Sequence, residues 1–268
     1  MSHKKIVVAI DTETELITPG NLAPRLVCVS WAVWSYSCDR IVTGILKDPA
    51  EIRHQVGYWI NLAAHNDEVL IITHNGAFDF AVLANFDPKM LPFIFQAYER
   101  GNITDTQIRE QLMDISAGTF WMNRKKGGYT LKSLSEKHLS IRLSKGEDTW
   151  RLRYAELMDV PLDRWPKEAI EYAEQDAEMT YMVFVEQMRS GHCGTEGFVP
   201  NEAEQVQAAF VLHLMACWGV VTDPVHGKKF FKETSDRMEG NRRQLILSGL
   251  MRDVGTKNLK AIRDLVEK

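Results

Sequence analysis

Long apolar runs are missing from this chain. The longest, "LVCVSWAVW" at Leu26 to Trp34, falls well short of the roughly 20 residues that span a bilayer, so no membrane helix is expected. The opening "MSHKK" leads into a strand-like run and not into the apolar core and small-residue cleavage site of a signal peptide, which predicts a cytosolic protein. Cysteine is scarce. Cys28, Cys38, Cys193 and Cys217 include no CxxC pair, which argues against a disulfide framework and for reduced thiols. His192, Cys193 and Cys217 lack the ligand number and spacing of a zinc site. A surplus of positive charge is also lacking: the formal net charge is −4, so charge-driven coating of nucleic acid is not expected. A small acidic site that reaches phosphate through metal ions remains compatible with that balance.

What is present is an ordinary globular composition, 45% apolar and 25% charged over 268 residues, with no internal repeat or low-complexity tract. "KIVVAID", residues 5 to 11, reads as a central strand because a short β-branched run suits burial on both faces. Leu26 to Trp34 and Arg40 to Leu46 read as a hairpin beside it, and Pro49 to Ala64 as a helix with Ile52, Val56, Trp59, Ile60 and Ala63 at helical spacing. "EVLIITHN" reads as a second buried strand, followed by a helical "FDFAVLANF". "NITDT" reads as a short strand, "QIREQLM" as a helix, "MNRKKGG" as a basic turn and "YTLKSLSEKHL" as another helix. A long helix from Pro166 carries an inward stripe of Ile170, Ala173, Ala177, Tyr181 and Phe184. Strand and helix alternation implies an α/β layered arrangement with part of the sheet parallel. The Gly- and Pro-containing stretch 191–200 reads as a linker, which divides residues 1–190 from a helical region, 201–268.

The first strand ends in "DTETE", and strand alternation puts Asp11 and Glu13 on one face, about 7 Å apart at the backbone. Carboxylates that close repel unless positive charge lies between them, so a hard divalent cation is one reading and a solvated strand end is the other. Glu15 is placed past the strand. The DxE pattern alone is weak, since Asp176 and Glu178 match it on a helix where i and i+2 do not share a face. At the next strand-to-helix junction, Asn75 either binds a nucleotide or caps the helix, and Asp79 either helps to hold a metal or caps it. Tyr172 and Asp176 stand one turn apart on one face of the late helix.

The order DxE at a strand end, N-x-x-x-F-D at a strand-to-helix turn and Y-x-x-x-D on a late helix resembles the DEDD superfamily of 3′-to-5′ exonucleases, in its tyrosine-containing branch. Asp11, Glu13, Asp79, Tyr172 and Asp176 match its five positions. The segments "YTLKSLSEKHL", "WPKEAIEYAEQDAEMTY" and "NEAEQVQAAFVLHLMACWGVVTD" extend the likeness to the proofreading domain of family A DNA polymerases, phage types especially, with residues 201–268 similar to the start of the polymerase thumb. The resemblance implies an α/β, ribonuclease H-like fold, a mixed five-stranded sheet with one antiparallel strand, flanked by helices and followed by a C-terminal helical extension. It also implies metal-dependent release of nucleoside 5′-monophosphates from single-stranded or frayed DNA 3′ ends. Two divalent cations, Mg²⁺ with Mn²⁺ as substitute, would be held by Asp11, Glu13, Asp79 and Asp176, and Tyr172 would orient the attacking water. Thr12 and Asn75 would grip the terminal nucleotide, and Ile17 and Phe78 would pack on bases; the alternative for the latter two is plain core.

The implied partners are the 3′ end of single-stranded DNA and a polymerase, either a separate subunit or the rest of a longer chain, in a bacterial or phage-infected host cytoplasm. Fingers and palm have no counterpart among these residues, so polymerisation is not expected of them. Arg124, Lys125 and Lys126 either contact phosphates of the incoming strand or are solvated surface. Two other readings stand beside this one: an RNA-trimming exonuclease of the same fold, and a non-catalytic strand-binding module of a replication complex. Against the second, clustered negative charge facing phosphate gains nothing in a site kept only for binding.

Overall fold

The computed structural model describes residues 6–142, 150–189, 199–219 and 223–267. Five strands, β1 (Ile6–Thr14), β2 (Leu26–Ser35), β3 (Arg40–Leu46), β4 (Val69–Thr73) and β5 (Ile103–Asp105), form one sheet in the order β3-β2-β1-β4-β5. β1 pairs antiparallel with β2 and parallel with β4, which pairs parallel with β5. Since β3 is antiparallel to β2, a single strand runs against the rest, as the resemblance implied. β1 continues three residues beyond the predicted Asp11, because Thr12, Glu13 and Thr14 pair with Val29, Cys28 and Leu26. The acids therefore sit within the paired strand, just before a register shift between Glu13 and Thr14.

Alternation along β1 divides the core. Val8 and Ile10 face α1 (Pro49–His65), α2 (Gly76–Phe86), α3 (Leu91–Glu99) and α8 (Glu202–Trp218), where Ile52, Phe80, Ile94 and Phe210 are fully buried. Ala9 faces the other way, onto Ala177, Tyr181 and Phe184 of α7 (Lys167–Arg189). Small residues one turn apart, Ala169, Ala173 and Ala177, have no exposed surface and let α7 lie close against the strands. The inward stripe thus begins at Ala169, and Ile170 is only partly buried. Asp48 caps α1 by accepting from the N–H groups of Ala50 at 2.8 Å and Glu51 at 3.1 Å, with Pro49 in the first turn.

Several sequence expectations change. α3 occupies a stretch to which no element was assigned. Phe120–Lys125 is a helix, α5, so the expected basic turn is confined to the residues after it, where Gly127 takes φ +68°. It lies between α4 (Thr106–Ser116) and α6 (Leu131–Leu139). The expected linker at 191–200 falls mostly outside the described residues, as do His192 and Cys193. Yet the compact unit does not stop there; it runs to Gly219. Val206, Phe210 and Leu214 of α8 are buried in the main core, Phe210 stacks on Tyr98 at 4.8 Å, and Glu202 meets Arg109 and Thr104. A helix that buries this much apolar surface belongs to the body it packs on.

A second unit spans residues 220–268. It holds α9 (Pro224–Leu247) and α10 (Leu259–Val266), whose connection is closed by the Met251–Lys257 bridge. Among the described residues no helix is long and apolar enough to cross a membrane.

Candidate active site

The end of β1 brings acids together from three elements. Asp11 and Glu13 project toward α7, and Asp176 rises from α7 to meet them, so that carboxylate oxygens of all three lie within 4.8 Å of one another. The intervening Thr12 points the opposite way, toward α2. There its backbone N–H and hydroxyl both donate to Asp79 Oδ1, at 2.9 Å and 2.6 Å. Asp79 thus stands on the far side of β1 from the trio, near enough to raise the proton affinity of Asp11 and Glu13. Tyr172, one turn before Asp176, lines the same cleft of about 600 Å³.

Burial comes first among the forces on these groups. It pushes Asp11 and Glu13 well above the usual carboxylate range, and the neighbouring acids push them further, with the Arg151 guanidinium pulling back. Burial also raises Asp79 to about 7, despite the hydrogen bonds from Thr12, and Asp105 adds to the rise. The Tyr172 phenol is raised by burial and then by Asp176, Glu13 and Asp11. Hard oxygen donors at this density suit Mg²⁺ or Mn²⁺, which are bound by few carboxylates and otherwise by water or phosphate. The residues present therefore fit the implied metal.

Asn75 and Gly76 turn the chain from β4 into α2. Asn75 adopts a left-handed conformation, φ +65°, and its side chain makes no hydrogen bond to the helix, so the capping alternative for it is set aside. The cap is supplied by Asp105 at the end of β5, whose Oδ2 accepts from Gly76 N–H at 2.7 Å. Its Oδ1 accepts from Gln107 and Ile108 N–H at the start of α4, at 2.8 Å and 3.1 Å. One carboxylate thereby satisfies two helix N-termini and leaves the Asn75 side chain to the cleft. Gly76 is required here, since a Cβ would lie 1.9 Å from Thr73 Oγ1.

All nine residues singled out from the sequence line this cleft: the four acids, Tyr172, Thr12, Ile17, Asn75 and Phe78. Ile17 is 56% exposed, which removes its core alternative. Phe78 serves both readings, packing on the main core while its ring meets His213 edge-on at 6.2 Å. Arg124, Lys125 and Lys126 are exposed and are not among the cleft's lining residues.

Sequence reasoning missed Arg151 and Lys132, the lysine and arginine that line the cleft. Arg151 lies in a short 3-10 turn, Trp150–Leu152, whose placement depends on residues both downstream and far upstream. Tyr154 is fully buried and donates its hydroxyl to Ala169 O at 2.7 Å, and Lys47 Nζ donates to the carbonyls of Leu157 and Met158 at 3.0 Å and 2.8 Å. Arg153 stacks over Trp150 at 4.5 Å. Arginines either side of Leu152 in "WRLRY" were the available signal, but nothing local says which one faces the acids.

Residues 1–189 match the family model described as 3′-5′ exonuclease, of the DNA polymerase A type. The chain belongs to this 3′-5′ exonuclease family. No curated protein matches it in comparison. In a 3′-5′ exonuclease the cleft over β1 has to admit a strand terminus. An acid cluster of this kind must then be offset by positive charge before an anionic phosphodiester can approach.

Proposed function

We propose that this 3′-5′ exonuclease removes nucleoside 5′-monophosphates one at a time from the 3′ ends of single-stranded or frayed DNA, and that it proofreads beside a polymerase, in the same chain or as a separate cytoplasmic subunit. The observation that carries the reading is the convergence of Asp11, Glu13 and Asp176 within 4.8 Å, with Asp79 behind them. The choice of DNA rests on the polymerase type of the family.

Asp11, Glu13 and Asp176 would hold one divalent cation and Asp11, with indirect help from Asp79, a second; such ions would supply positive charge to the phosphodiester and acidity to the attacking water. An ordinary phenol, pKa about 10, already keeps its proton at neutral pH, and burial favours the neutral form of Tyr172 further, so it orients water as a hydrogen-bond donor and does not act as the base. The Thr12 hydroxyl already donates to Asp79, which leaves its oxygen lone pairs to accept from a terminal 3′-hydroxyl. Asn75 offers both a donor and an acceptor to the terminal nucleotide, and Ile17 and Phe78 present apolar surface that tolerates any base. Arg151 at the rim holds a phosphate against the repulsion of the acids.

The test uses 5′-labelled single-stranded DNA with free or blocked 3′ ends, and a matched RNA strand, incubated with Mg²⁺ or with chelator. The expected result is a ladder that shortens from the free 3′ end of DNA, absent in chelator and in Asp176→Ala. Cleavage that persists in chelator or begins at the 5′ end sinks the mechanism, and equal cleavage of RNA sinks the DNA assignment.

A further inference from the structure

Charge along this chain is uneven in one place. Between Asp114 and Glu136 there is no acidic residue, while Arg124, Lys125, Lys126 and Lys132 supply four cations, in a chain whose net charge is −4. The same stretch holds α5, and α5 carries exposed apolar surface: the Trp121 indole is 67% exposed and Met122 61%. A solvated basic face has no use for an uncovered indole, since burying that ring elsewhere would stabilise the fold. Arg124 is layered with the aromatics, its guanidinium 5.6 Å from the Trp121 ring and 5.8 Å from Phe120. Guanidinium beside indole, with lysines following directly, combines the two parts of a sequence-tolerant single-strand platform: faces on which bases stack and cations that follow the backbone.

The platform is fastened to the cleft wall. Phe120 stacks on Tyr129 at 5.7 Å, and the Tyr129 hydroxyl and Asn123 Nδ2 both donate to Asp114 Oδ2, at 2.8 Å and 2.7 Å. The carbonyl of Tyr129 accepts from Gln107 Nε2 at 3.0 Å, and Gln107, Thr130 and Lys132 line the cleft. Lys132 follows Lys126 by six positions, which limits the gap between platform and rim to roughly 20 Å. A strand whose 3′ end lies in the cleft spans that gap with a few nucleotides.

We infer that α5, through Trp121, Lys125 and Lys126, is a second binding surface that holds the 5′ continuation of the single strand whose 3′ end is being hydrolysed. The inference rests on the exonuclease reading above, and the experiment separates the two. Hydrolysis of a 20-nucleotide strand is compared with that of a dinucleotide, which is confined to the cleft, in the wild-type chain, in Trp121→Ala and in Lys125→Ala/Lys126→Ala. The ratio of kcat/KM for the long over the short substrate is expected to fall about 10-fold in each variant, through KM and not kcat. Binding of a fluorescent 20-mer in chelator, followed by anisotropy, needs no turnover. There the slope of log Kd against log salt is expected to shrink by about 0.7 for each lysine–phosphate contact removed. An unaltered length ratio together with an unaltered salt slope overturns the platform. Absence of hydrolysis of either substrate by the wild-type chain overturns the exonuclease reading alone, and the anisotropy result still decides the platform.

Discussion

Glu110 and Glu13 are both buried glutamates of the same compact unit, 1% and 7% exposed, and their surroundings could hardly differ more. Glu110 of α4 receives Lys137 on one oxygen, and on the other His138 Nε2 at 2.8 Å and Gln187 Nε2 at 2.7 Å. Burial opposes ionisation there, but those donors prevail and hold the carboxyl down at about 2. Glu13 is pushed up by burial and then by the acids around it. Where this fold uses a buried carboxylate to join helices, it supplies the donors itself. Where it leaves carboxylates facing one another at the edge of a cleft, it subtracts from its own stability, and the compensating charge must come from outside.

The sharpest way to break this contrast is to remove one charge from each cluster. Asp11→Asn is expected to lower kcat on single-stranded DNA in Mg²⁺ by about 10³-fold or more, as loss of a charge-stabilising group at a reacting centre does. In chelator the same variant should melt higher than the wild-type chain by roughly 2–4 °C, because a repulsion is gone; calorimetry that shows it melting lower contradicts the electrostatic account. Glu110→Ala should act in the opposite sense, costing about 3 kcal/mol in urea unfolding. That figure is the low end for a broken buried pair because half of the Lys137 side chain stays in water. Its pH dependence has a definite sign. The folded value of Glu110 lies below the ordinary 4.5, so its contribution is complete above that value and is lost as pH falls toward about 2. The stability gap between wild type and Glu110→Ala should therefore close on acidification, and a gap that widens counts against the assignment. The smallest effect expected is from Arg151→Gln, about 10-fold in kcat/KM, with a melting temperature close to that of the wild type. If Arg151→Lys restores most of that loss, a point charge suffices; if it does not, the planar fork is needed.

Short-range periodicity made the pairs within the candidate site readable, and the family resemblance implied that they form one site. Two-residue alternation placed Asp11 and Glu13 together, and a four-residue step placed Tyr172 below Asp176. The strand-to-helix junction located Asn75 and Asp79 at the same end of the sheet. Other features depend on contacts that no local pattern encodes. Asp105 ends the short strand read in "NITDT", but its task as a double cap exists only once β5 lies beside β4. Arg151 reaches the cleft because Tyr154 ties its segment to Ala169, 15 residues on, and Lys47 holds it from more than 100 residues before. The Gly-rich stretch before α8 reads as a boundary by composition, but composition cannot tell a helix that departs from one that folds back, and the Glu202–Arg109 pair with Phe210 beneath it made that decision.

Asp105 has a practical meaning for anyone reshaping this enzyme. Its two oxygens hold the starts of two helices that line the opening, so a substitution there would release both at once. Mutant libraries aimed at new strand chemistries should keep that carboxylate fixed and vary the residues it holds in place.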